Sequence, residues 1–120
     1  MTIARMHTSD RASKIVTHNG VVYLSGHVAQ DPEAEIEDQT RSTLARVDAM
    51  LTEAGTDRHH LLSATIYLRD IDNHFARMNT VWNEWVPAGH APARATVEAH
   101  MARPGLLVEI SIIAAMPDAN

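Results

Sequence analysis

Cysteine is absent from the 120 residues. That removes disulfides, thiolate nucleophiles and thiolate metal sites together, and it suits a reducing compartment. Lysine is nearly absent too, since Lys14 stands alone beside nine arginines. These cations are scattered, the formal net charge is −5, and no basic stripe accumulates, so no nucleic-acid footprint is expected. No apolar run approaches the roughly 20 residues needed to cross a bilayer. The opening Met1-Thr2-Ile3-Ala4-Arg5-Met6-His7 lacks the apolar stretch of a signal peptide. The expectation is a cytoplasmic protein with no membrane partner and no targeting segment removed. Repeats, low-complexity tracts and linkers are missing as well. Eight histidines are present, yet they form no H-E-x-x-H or H-x-H pattern, and His59 and His60 would point to opposite sides of an extended chain. No metal is expected.

What is present is a chain of the size of one domain, residues 1–120, with an ordinary hydrophobic share of 45%. Asn19-Gly20 lies between β-branched runs at 14–18 and 21–24, a hairpin signal because both central residues must accept positive φ. From Ile36 to Ala54 the apolar positions Leu44, Val47 and Leu51 fall at helical spacing, and Gly55 is a plausible stop. Leu61 to Leu68 reads as a strand. A second helix follows, capped by Asp70 or Asp72, with the stripe Phe75, Met78, Trp82, Trp85 and Val86, and Pro87 closes it. Two strands at about 93–100 and 106–115 complete the order β-β-α-β-α-β-β. Two amphipathic helices and five strands fit an α+β fold with both helices on one face of the sheet. The last strand is apolar on both parities, so its second face also needs cover, and self-association is the simplest way to supply it.

Two residues stand out as candidates for chemistry. Arg94 lies among small residues in Ala91-Pro92-Ala93-Arg94-Ala95-Thr96, which leaves room for a ligand around its guanidinium. An arginine fork binds a carboxylate in bidentate fashion, which lysine cannot do. Strand parity places Arg94, Thr96, Glu98 and His100 on one side. Glu109 interrupts the apolar run Leu106 to Ile113, where an unpaired charge is expensive unless it lies at a subunit boundary, is paired, or is functional. Arg94 and Glu109 either form a plain ion pair or share a cleft. Asn79 lies one helical turn after Phe75 and can present an amide. Gly26, after Ser25, allows close backbone approach. Ser25 has no histidine–acid partner in view and is not read as a nucleophile. Trp82 and Trp85 read as core or interface anchors.

Ser25-Gly26, Ala54-Gly55, the run Asp72 to Trp85 with Asn79, Pro92-Ala93-Arg94 and Val108-Glu109-Ile110 together resemble the Rid family. These are the reactive intermediate deaminases, also called the YjgF family. The likeness runs from about residue 14 to 115. The resemblance implies a chorismate-mutase-like α+β fold with a mixed sheet, assembled as a homotrimer with ligand sites between subunits. It implies hydrolysis of 2-imino or enamine acids, such as 2-iminopropanoate and 2-iminobutanoate, to 2-oxo acids and ammonia. Arg94 would bind the substrate carboxylate and Glu109 would position the attacking water. Ser25, Asn79 and Thr96 would line the cleft, and no cofactor is implied. Two departures stand against that pattern. The stretch Arg11-Ala12-Ser13-Lys14 lacks the tyrosine many members carry, and Thr96 replaces a common cysteine. The alternative is a non-catalytic trimer that binds small carboxylates as a regulatory protein. Ribonuclease activity is disfavoured by the acidic charge and the lack of a basic, aromatic surface.

Overall fold

A computed structural model describes residues 2–118. Seven strands form one mixed sheet: β1 (Ala4–Thr8), β2 (Ser13–His18), β3 (Val21–Leu24), β4 (His27–Val28), β5 (Leu61–Leu68), β6 (Ala93–Glu98) and β7 (Val108–Ala115). The order across it is β1-β2-β3-β7-β5-β6, with β4 paired beside β3 on β7. Two helices, α1 (Ile36–Ala54) and α2 (Ile71–Trp85), complete the chain, with a 3-10 turn at Arg58–His60. The expected elements are all there. The sequence reading missed β1, a polar strand with little apolar signal, and the two-residue β4. It also ran the sixth strand two residues too far and began the seventh two too early.

Local chemistry accounts for the boundaries. Asn19 and Gly20 take φ of 52° and 76° and close the β2–β3 hairpin. α1 ends where the Gly55 N–H turns back to the carbonyls of Leu51 and Thr52. α2 is capped by Asp70, whose carboxylate accepts from the Asn73 N–H. β5 and β6 are parallel neighbours, so α2 is the crossover between them and must pack back onto the sheet.

Register then sorts the side chains. Ala64, Ile66 and Leu68 of β5 and Val108, Ile110, Ile112 and Ala114 of β7 are buried beneath the helices. Ile15, Val22 and Leu24 extend that layer across the hairpin, and Leu44, Val47 and Leu51 of α1 and Met78, Val81 and Trp82 of α2 close it. The opposite parity, with Tyr67, Glu109, Ser111 and Ile113, faces away from the helices. Tyr23 and Val97 share that side and are each 43% exposed. A large part of the sheet is therefore uncovered in the single chain. Phe75 departs from its expected place: it lies outside the core and is exposed, while Val81 takes a buried position in the stripe.

The polar residue that ties these layers together is Gln39, fully buried in α1. Its Nε2 donates to the Gly105 carbonyl at 2.9 Å and to the Ala34 carbonyl at 3.1 Å. Its Oε1 accepts from the Leu107 N–H at 2.9 Å. The side chain thus satisfies both the loop entering α1 and the turn entering β7. Gln39→Leu keeps the volume but orphans a buried N–H and two carbonyls. We expect it to lower the unfolding free energy in urea by about 1–3 kcal/mol, or more if all three groups stay dry. An unchanged midpoint would show that water replaces the amide without cost.

Candidate functional site

Arg94 is on edge strand β6, paired with Ala64 of β5, and therefore on the helix side of the sheet. Its Nη1 donates to Asn79 Oδ1 at 2.8 Å. The guanidinium carbon is 5.5 Å from the centre of the Trp82 ring and 5.9 Å from that of Phe75. The residue as a whole is exposed, but the guanidinium is partly withdrawn from water beside these rings, and that desolvation lowers its pKa from the ordinary arginine value. It remains a cation. Other arginines have carboxylate partners: Arg41 meets Asp38, Arg58 meets Asp48, and Arg77 meets Glu35 and Glu37. Among the described residues Arg94 meets none. Thr96, two residues along, shares its side of the sheet, and its buried hydroxyl has no hydrogen-bond partner.

Glu109 lies elsewhere. It pairs with Tyr67 on one side and Val28 on the other, with its side chain on the uncovered face. Its carboxylate rests against the backbone of Gly26. A Cβ built on Gly26 would stand 2.2 Å from Glu109 Oε2, so only glycine admits the carboxylate there. Ser25 adjoins this contact, its N–H donating to the Lys14 carbonyl. The plain Arg94–Glu109 ion pair is thus overturned. Strand β5 separates the two residues, about 10 Å laterally at ordinary strand spacing, and they occupy opposite faces. One chain brings together Arg94, Asn79 and Thr96, and separately Ser25, Gly26 and Glu109.

The sequence reading missed the ring platform, because Phe75 was assigned to the core and Trp82 to packing alone. Its signal was the spacing of Phe75, Asn79 and Trp82, which puts all three on one helical stripe. The histidine pair also needs correction. Residues 58–60 form a 3-10 turn, and His59 and His60 both approach the Asp57 carboxylate, at 3.5 and 2.9 Å. These contacts lower the Asp57 pKa, the His59 backbone N–H first and the His60 side chain next. No set of three or more His, Asp or Glu side chains placed to hold a metal occurs among the described residues. No helix there is long and apolar enough to cross a membrane.

Residues 2–116 match the model of the family described as Endoribonuclease L-PSP. The chain is 45% identical over 116 residues to the RutC family protein YoaB of Escherichia coli K12, covering 97% of this chain and all of that protein. A crystal structure of a YjgF family member from Neisseria meningitidis superposes with a TM-score of 0.94 at 47% identity, covering 99% of this chain and 98% of that one. The Rid family protein YyfA of Yersinia pestis gives 0.83 at 33% identity, with 91% and 90% covered. The chain belongs to the Rid/YjgF family. The α+β architecture with two helices on a mixed sheet is the YjgF fold.

The contact between Gly26 and Glu109 gives a prediction within this Rid protein. In Gly26→Ala the obstructed atom is the far end of a flexible side chain, so Glu109 can swing aside. The variant should fold within about 1 kcal/mol of the parent, while the carboxyl carbon resonance of Glu109 moves. An unmoved resonance would place the carboxylate away from Gly26 in solution.

Proposed function

We propose that this Rid/YjgF chain is a homotrimeric hydrolase of 2-imino acids, releasing 2-oxo acids and ammonia at sites shared between subunits. The observation that carries the reading is the setting of Arg94: no carboxylate among the described residues meets it, and it stands beside an amide and two rings. Arg94 is held by Asn79, flanked by two rings and left with free guanidinium donors. A substrate carboxylate is the group such a fork takes up, and the partial desolvation of the guanidinium beside the rings favours a charge partner. Thr96, with its unpartnered hydroxyl, is the adjacent polar contact.

The acid–base group is assigned to Glu109 of a neighbouring copy, with Ser25 and the Gly26 backbone lining the same rim. Glu109 and Arg94 lie on opposite faces of one sheet, so a cleft using both requires two chains. The exposed Tyr23 and Val97 on the uncovered face supply apolar area for that association. In the reaction Glu109 accepts a proton from water as the oxygen bonds to the imine carbon. Return of that proton to the imine nitrogen completes the carbinolamine, and transfer of its hydroxyl proton to the nitrogen then expels ammonia as the carbonyl forms. An imine conjugate to a carboxylate is already electrophilic, so orientation and proton transfer are the contributions required of the protein. A trimer that only binds small carboxylates shares Arg94 and lacks the positioned water. RNA cleavage, which the family description names, is the weaker reading for a chain of net charge −5.

Light scattering at micromolar concentration should give three times the 13.2 kDa chain mass, and a clean monomer would remove the shared cleft. The decisive assay generates 2-iminopropanoate and 2-iminobutanoate in situ, with semicarbazide competing and the unaided hydrolysis subtracted. Arg94→Lys keeps the charge but loses the fork, so binding of a 2-oxo acid should weaken by about 1–3 kcal/mol. Glu109→Gln should still bind that product analogue while turnover falls by about 10²–10⁴-fold. Wild-type protein that binds 2-oxo acids but never exceeds the background rate would decide for the binding protein. An Arg94→Lys variant unchanged in both binding and turnover would move the site elsewhere.

A further inference from the structure

Away from Arg94 and Glu109, a concavity of about 260 Å³ opens where β2, β4 and α1 meet, lined by Lys14, His27, Arg46, Ala49 and Met50. Every polar side chain lining it can carry positive charge. His27, 8% exposed, points to the helix side, opposite Ile110 of β7. Its Nε2 is buried and has no hydrogen-bond partner among the described residues. Buried polar atoms are almost always satisfied, so the orphan nitrogen calls for a partner, and as an N–H it can donate to an anion among these cations. Arg46 is partly fixed by a 3.3 Å bond from Nη1 to the Val28 carbonyl, which leaves its remaining donors for a ligand.

We propose that Lys14, His27 and Arg46 form a binding site for a small oxyanion with two negative charges, either free phosphate or the phosphate of a small monoester. Three donors from three elements suit the tetrahedral oxygens of a phosphate better than a planar carboxylate. The pocket volume limits the ligand to a small molecule, and the net charge of −5 opposes a long polyanion. The His27 pKa is lowered, first by burial and then by the charges of Lys14 and Arg46. The groups facing it are Lys14 from β2, Arg46, Ala49 and Met50 from α1, and Ile110 from β7. A bound dianion offsets both cations and favours the imidazolium, so binding raises the His27 pKa. The site does not depend on the imine reading.

The test titrates inorganic phosphate, and separately methyl phosphate, into the full chain, following heat and the His27 ring resonances. Saturable binding at one site per chain is expected, with the ring signals moving toward the protonated form. Lys14 and Arg46 are both exposed, so Lys14→Met and Arg46→Met should fold normally, and each should weaken binding about tenfold or more. Tighter binding of methyl phosphate than of inorganic phosphate identifies a monoester as the ligand, and loss of methyl phosphate binding identifies free phosphate. The proposal is overturned if no saturable binding occurs at physiological salt. It is also overturned if the double variant binds as well as the parent, or if the ring signals of His27 stay still while phosphate binds.

Discussion

The buried amide of Gln39 fixes how the chain enters its central strand. One side chain answers the carbonyl of Gly105 and the N–H of Leu107, and so sets the backbone immediately before Val108. From there the alternation of β7 is determined: Val108, Ile110 and Ile112 turn toward the helices, and Glu109 and Ser111 turn away. Because a strand has period two, a slip of one residue would bury Glu109 under α1 and expose three large aliphatics. The placement of the candidate acid–base group thus depends on a helical glutamine 70 residues earlier in the chain. Buried Thr40 and Thr43 do not compete for these partners, since their hydroxyls donate back to the carbonyls of Ile36 and Gln39 in their own helix.

The same alternation separates the site. β6 is parallel to β5 and in register with it, which puts Arg94 over Ala64 and Val97 over Tyr67. Arg94 therefore faces α2, whereas Glu109 shares the other side with Tyr67. No side-chain rotation brings them together across an intact sheet. A second layer of helices on the bare face would cover Glu109, while Arg94 stays exposed at the edge strand on the helix side. Leaving one face bare supports association, and it puts Glu109 where a second chain can meet it.

Much of this was readable in the residues. The hairpin turn, both helices, the strand 61–68 and, but for a start two residues early, the last strand follow from patterns dominated by local chemistry, and Arg94 and Glu109 stand out as charges in unsuitable company. The parts that escaped depend on contacts distant in sequence. Gln39 looks like any polar helix residue until Gly105 and Leu107 arrive beside it. Phe75 fits an apolar stripe, yet Val81 is buried and Phe75 is left exposed beside Arg94. β1 is held by pairing with β2 and carries little pattern of its own. The nearness of Arg94 and Glu109 in sequence suggested a pairing that the insertion of β5 between their strands forbids.

The two cationic sites differ in a way that their surroundings explain. Arg94 is a single fork, oriented by one amide and backed by rings, so it offers parallel donors in one plane and little else. On the proposed reading that geometry takes a planar carboxylate, and no carboxylate among the described residues occupies it. Lys14, His27 and Arg46 come from three elements and surround a volume, so their donors converge from several directions and their charges add. Lys14 and Arg46 are exposed, so solvent screens their mutual repulsion, and burial with these two charges disfavours a third on His27. A ligand there relieves the repulsion between Lys14 and Arg46 and satisfies the His27 nitrogen in one step. A ligand at Arg94 only completes a fork already in place.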